Sequence, residues 1–125
     1  PDFTTVTIDT QIPADAVVRA ESGPLSQVVI NLLINASQAM GRKGTIRIVG
    51  QKEAEGFVLH VEDSGPGIPA EVFPQLFQPF FTTKVDEKGT GLGLAIARHL
   101  MQTMGGELSA ANTGHGARFS LKLPP

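Results

Sequence analysis

Residues 31–40, "NLLINASQAM", place two asparagines and a glutamine inside a run that otherwise reads as buried helix. At about 100° per residue, Leu25, Val28, Val29, Leu32, Leu33, Ala36 and Ala39 share one broad apolar face, which requires a sheet or another helix to cover it. Gln27, Asn31, Asn35 and Gln38 fall at i, i+4, i+8 and i+11 in a narrow stripe, with Ile34 flanking its other side. A solvated stripe usually carries Glu, Lys and Arg. A buried amide must be hydrogen-bonded or it costs roughly 1 to 3 kcal/mol. One use for such amides is to cross-link neighbouring backbone. The other is to face a hard cation already carried by phosphates, since magnesium keeps its own waters and takes few protein ligands.

Working outward, Ser22 and Pro24 are start signals for this helix, and "GRKG" at 41–44 stops it near Met40. On the N-terminal side "FTTVTI" alternates as a half-buried strand, and "AVVRA" near residue 18 reads as a second, shorter one. On the C-terminal side "TIRIVGQK" and "GFVLHVED" are two strands joined by the acidic turn "EAEG", the spacing of an antiparallel hairpin. "SGPGIP" is a turn, and "AEVFPQLF" makes one or two short helical turns interrupted by Pro74. "TTKVDEKGTG" is a polar, glycine-bearing loop leading into a helix from about Leu92 to Met104. A strand, a glycine turn and a last strand close the chain. The pattern is α+β, a mainly antiparallel sheet with helices on one face.

At 125 residues, 41% hydrophobic and 18% charged, the chain fits one domain, residues 1–125, with enough apolar material for a core. A formal charge of −2, with the basic residues scattered, attracts neither nucleic acid nor acidic lipid. The absence of cysteine excludes disulfides and thiolate metal sites and fits a reducing, cytoplasmic compartment. Residues 22–41 carry no charge and approach membrane-spanning length, but three serines, four amides, a proline and two glycines argue against lipid.

In "GFVLHVEDSGPGIP", Phe57, Leu59, Val61 and Asp63 share one side of the strand, and Val58, His60 and Glu62 the other. Asp63 therefore extends an apolar row. It either opens the "DSGPG" turn or stands at a pocket floor, accepting a hydrogen bond from an exocyclic amine such as that of adenine. "KGTGLGLAIARHLMQTMGG" offers Gly89, Gly91 and Gly93 before a helical period, and glycine-loop amides at a helix N-terminus can cradle phosphate. The dinucleotide fingerprint is excluded, because Ile96 stands where its third glycine belongs, and no Walker A sequence is present.

In order, these blocks resemble the ATP-binding catalytic domain of sensor histidine kinases, in the superfamily of gyrase, chaperone, kinase and MutL ATPases. "QVVINLLINASQA" is similar to the N box and "DSGPGIP" to the first glycine box. "LFQPFFTTK" is similar to the F box, "GTGLGLAIA" to the second glycine box and "TGHGARFSLKLP" to the terminal glycine turn and strand. The resemblance covers nearly the whole chain and implies a two-layer α/β sandwich, the Bergerat fold, with a mixed sheet, three helices and a flexible lid over ATP. It implies Asn35 as magnesium ligand, with Asn31 helping to hold ion and phosphates. Asp63 would take the adenine amine, with Gly65, Gly67 and Ile68 bringing backbone to the base. Gly89, Thr90, Gly91, Leu92, Gly93 and Leu94 would line the phosphates, and Phe80 and Phe81 would anchor the lid.

Two departures from the family pattern matter. Gln38 stands where many members carry a phosphate-touching lysine, so Lys84, or Arg42 and Lys43, would supply the cation. Asn31 stands where the superfamily's ATPases carry a glutamate base, and an amide cannot take a proton at neutral pH. Phosphoryl transfer to a histidine is thereby favoured over a slow ATPase and over an anti-sigma-type serine kinase, which generally keeps that glutamate, while intact Asn35, Asp63 and second-box glycines argue against a non-catalytic nucleotide-binding module. None of His60, His99 and His115 has the sequence context of the family's phosphorylated histidine. The resemblance therefore implies an acceptor on a separate helical domain and a response regulator downstream. It also implies a monomeric isolated domain within a dimeric parent kinase that is itself open to membrane anchoring. The lid, about Thr82 to Thr90, is expected to be poorly ordered without nucleotide, having little apolar content.

Overall fold

The computed structural model describes residues 5–12, 22–41, 43–54, 56–79 and 93–124. The strand expected near residue 18, the lid, Arg42, Phe80, Phe81, Lys84 and Gly89 to Leu92 lie outside the described residues. Strands β1 (Thr5–Gln11), β2 (Lys43–Glu53), β3 (Gly56–Asp63), β4 (Glu107–Asn112) and β5 (Ala117–Leu123) form one sheet in the order β1-β2-β3-β5-β4. β1 pairs parallel with β2, and every other pair is antiparallel. The parallel pair needs a long crossover, and helix α1 (Ser22–Ala39) lies in the connection. Helix α2 (Gly93–Thr103) precedes β4, and its end is closed by Gly105 N–H to Gln102 O and Gly106 N–H to Met101 O.

The strand pattern divides the sheet into two unlike faces. The inner rows contribute Ile46, Ile48, Val61, Leu108, Phe119, Leu121 and Leu123 to the core, against Val28, Leu32 and Ala36 of α1 and Ala97 and Met101 of α2. Leu32 and Met101 are fully buried, so truncating Leu32 to alanine would cost about 2–5 kcal/mol. The outer face carries a charge ladder set by register, Asp9 beside Arg47, Arg47 beside Glu62 and Glu62 beside Arg118. Arg118 Nε donates to Glu62 at 2.7 Å and Arg47 approaches it at 3.8 Å. Such part-exposed pairs add little stability and mark this face as the solvated one.

"AEVFPQ" differs from its sequence reading. It forms one 3-10 helix, Ala70–Gln75, with Pro74 inside it and no interruption there. Pro74 lacks a single donor, while Val72 N–H to Pro69 O and Leu76 N–H to Phe73 O hold the turns on either side. Among the described residues no helix is long and apolar enough to cross a membrane.

Candidate functional site

The apolar wheel of α1 is realised: Val28, Leu32 and Ala36 are buried, and Leu25, Val29 and Leu33 pack partly against them. Ile30 and Ile34, on the far side of the amide stripe, are about half exposed at 48% and 52%. The stripe therefore runs along the border between core and solvent. Gln27 Nε2 donates to Asn31 Oδ1 at 2.7 Å, and Asn31 Nδ2 donates to the carbonyl of Gly93, the first residue of α2, at 3.1 Å. Asn31 is thus a tie between the two helices, and its Oδ1 keeps one further lone pair. Asn35 is half-buried one turn on, and its side chain forms no hydrogen bond among the described residues. Gln38 is half-buried near the other end of α1.

At that other end stands Asp63, the last residue of β3 and only 6% exposed. It lies directly across from Ile46, on the inner row that faces the helices. Its Oδ1 accepts from Gly65 N–H at 2.9 Å and from Ala117 N–H at 3.2 Å, while Oδ2 accepts no hydrogen bond among the described residues. Backbone amides thus fix the carboxylate through Oδ1 alone. The surrounding glycines leave little or no room for a side chain. A side chain on Gly116 would overlap the Asp63 carbonyl, and one on Gly65 would come 3.3 Å from Ala39 O and 3.1 Å from Asp63 Oδ1. Gly67 has φ +86°, a backbone conformation that favours glycine.

Three supporting contacts were not read from the sequence. Asn112, the end of β4, bonds both backbone groups of Ile68. Met40 Sδ accepts from Ser64 N–H at 3.4 Å and Ser64 Oγ at 3.3 Å, and Ser64 Oγ also accepts from Thr45 N–H, so the loop is tied to the end of α1 and the start of β2. Phe77 packs edge-on to Phe119, with centroids 6.3 Å apart and Arg98 over its ring at 5.7 Å, which joins the F-box segment to both core and α2. Each partner lies far away in sequence, and no local pattern announces it.

Of the expected phosphate-lining residues, Gly93 and Leu94 open α2; Leu94 packs against the core, so only its backbone is available to a ligand. Lys43 is exposed at the start of β2. His60 accepts or donates a 2.8 Å bond with Ser120, and burial, then the neighbouring Arg118, lower its pKa; His99 and His115 are exposed. Among the described residues no three His, Cys, Asp or Glu side chains converge as a metal-binding group. An open cleft of about 510 Å³ lies at the far end of the sheet, lined by Glu53, Gly56, Phe57, Gly106, Glu107 and Lys122, away from Asp63 and the amide stripe.

A fold of this order, with an amide-bearing helix and a glycine-flanked buried aspartate, meets its counterpart among known proteins. The family model of the histidine kinase-, DNA gyrase B- and HSP90-like ATPases matches residues 20–125, and the chain belongs to that family. The two-component sensor PprA of Pseudomonas aeruginosa is 42% identical over 127 aligned positions, covering 94% of this chain and 14% of that protein. The sensor histidine kinase ZraS of Escherichia coli K12 is 40% identical over 108 positions, covering 86% of this chain and 23% of that protein. Among solved structures, the catalytic domain of histidine kinase ThkA matches with a TM-score of 0.84 at 35% identity, over 96% of this chain and 80% of that one. A structure of ThkA with the response regulator protein TrrA matches with a TM-score of 0.79 at 31% identity, over 95% of this chain and 34% of that one. The chain is thus a histidine kinase ATPase domain of the sensor-kinase kind, and it spans less than a quarter of the length of these sensor relatives.

Proposed function

We propose that the chain binds magnesium-ATP and donates the γ-phosphate to a histidine on a separate helical domain of a dimeric two-component sensor kinase, which then serves a response regulator. The observation that carries this reading is the layout along α1. Asn31 meets the start of α2, and Ala39, eight residues on, meets Gly65 beside Asp63. Those two contacts are about 12 Å apart along the helix axis at 1.5 Å per residue, of the order of an extended nucleoside triphosphate. Asn35 falls between them.

In this reading Asp63 Oδ2 accepts the adenine amine, and the backbone of Gly65, Gly67 and Ile68 lies against the base. Asn35 offers its uncharged carboxamide oxygen to the magnesium ion, and Asn31 has one lone pair left to do the same. That donor set suits a cation that brings its own waters. When bound, magnesium neutralises phosphate charge. The N–H groups that open α2 at Gly93 and Leu94 receive phosphate oxygens, aided by the helix dipole. Lys84 is assigned the role of the phosphate-facing cation, Gly89, Thr90, Gly91 and Leu92 that of phosphate-lining backbone, and Phe80 and Phe81 that of the lid's anchor. Asn31 holds no proton-accepting group, so the site positions phosphate and leaves nucleophile activation to the acceptor. The domain works on the cytoplasmic side of whatever membrane its parent occupies.

The test is phosphorylation in trans. The chain, magnesium and γ-labelled ATP are mixed with the helical domain of its parent kinase. Acid-labile, base-stable label on a histidine of that domain is expected. Release of free phosphate at the same rate with or without the acceptor would point to a hydrolase.

A further inference from the structure

The loop that follows Asp63 is held from both sides by one end of the β4–β5 hairpin. Asn112 and Ala117 face each other across that hairpin. Ala117 gives its N–H to Asp63 Oδ1 at 3.2 Å. Asn112 receives Ile68 N–H on Oδ1 at 2.7 Å and gives Nδ2–H to Ile68 O at 2.8 Å. The carboxamide thus pairs both backbone groups of a single residue, as a neighbouring strand would, although the two residues are 44 apart in sequence. Between these holds sits Gly67, where a Cβ would come 2.9 Å from Asn112 Oδ1, so the loop passes close against the carboxamide. Among the described residues nothing else bonds the Ile68 backbone. Asn112 itself is exposed, so packing of the core does not explain its geometry.

We propose that Asn112 is a positioning residue for base recognition. It touches no nucleotide, but it sets the height of residues 67 and 68 relative to the Asp63 carboxylate and so fixes the width of the base slot. This rests on the nucleotide reading above. With the clamp gone, the loop relaxes away from Asp63, and the slot loses its discrimination between an adenine edge and a guanine edge while the phosphate end stays as it was.

The experiment is a calorimetric titration of the whole chain with ATP and with GTP, for the parent, Asn112→Ala and Asn112→Asp, alongside hydrogen exchange at the Ile68 amide. Loss of the two bonds is expected to weaken ATP binding about ten-fold in Asn112→Ala. GTP binding should change much less, the melting temperature should fall by no more than about 5 °C, and Ile68 exchange should accelerate. Asn112→Asp retains the acceptor for Ile68 N–H but sets an oxygen against Ile68 O, so it too should weaken ATP binding. ATP affinity within about two-fold of the parent in both variants, or equal losses for ATP and GTP, would overturn the proposal. If the parent chain binds no ATP, the nucleotide reading fails, and Ile68 exchange alone decides the clamp: protection unchanged in Asn112→Ala refutes it.

Discussion

Around the Asp63 carboxylate the hydrogen-bond partners are backbone groups, whereas α1 reaches the Gly93 carbonyl of α2 through the side-chain amides of Gln27 and Asn31. Gly65 lies against Ala39 O, Gly116 against the Asp63 carbonyl, and the Asp63 carboxylate takes two backbone N–H groups. Those partners are set by strand register and glycine positions and cannot exchange. Gln27 and Asn31 are amides on rotatable stems at the edge of solvent, relayed to the backbone carbonyl of Gly93. The contrast suits a ligand whose base is held unchanged while its terminal phosphate moves, so one end is prebuilt and the other can re-pair.

The sharpest way to break this contrast is at Gly116. Gly116→Ala forces a methyl into the Asp63 backbone and is expected to cost about 3 kcal/mol or more in urea denaturation. A loss under about 1 kcal/mol would mean that the loop is not rigidly seated. Next comes the carboxylate itself. Asp63→Asn keeps an oxygen for the Gly65 and Ala117 amides but turns a donor toward the adenine amine. Its fold should persist while ATP affinity falls about 100-fold. Asp63→Ala additionally orphans the two amides and should lose about 1–3 kcal/mol of stability per unsatisfied group. At the adaptable end Asn31→Ala removes the tie to Gly93 and should cost only about 0.5–1.5 kcal/mol, since the carbonyl it frees reaches water. A stability loss as large as that of Asp63→Ala would erase the distinction between the two ends.

The smallest expected effect lies on the outer face of the sheet. Burial and Arg118 hold the His60 pKa below its ordinary 6.5, so the unfolded chain takes up this proton first as pH falls. The neutral ring's contribution is therefore intact above about pH 6.5 and is lost as pH drops toward the lowered folded value. His60→Gln should flatten part of the stability slope as pH falls below about 6.5 in denaturant titrations. An unchanged slope would show that the ring titrates alike in both states.

Much of this was legible in the sequence because the relevant physics is local. The 3.6-residue period exposed the buried face of α1, the two-residue period put Asp63 on the inner row with Val61, and the same alternation sent His60 outward to Ser120. The parallel pairing of β1 with β2 was not derivable from either strand, because register depends on the crossover between them. Asn112 read as no more than the end of a strand, since an amide beside a glycine turn is common and its partner lies 44 residues away. Met40 read as an apolar helix end until its sulfur was found holding Ser64. Asn31 read as a ligand candidate; its bonds to Gln27 and to the Gly93 carbonyl, which leave one Oδ1 lone pair, were not legible because they need the approach of two helices.

The central claim is that Asp63 floors a base site and Asn35 serves a magnesium ion on the same helix-lined strip. Isothermal titration of the chain with ATP, with and without magnesium, tests it most directly. The account predicts saturable one-to-one binding that magnesium strengthens, that Asp63→Asn weakens about 100-fold without loss of helical circular dichroism, and whose magnesium dependence disappears in Asn35→Ala. Absence of saturable binding, or binding unaltered in Asp63→Asn, would contradict it.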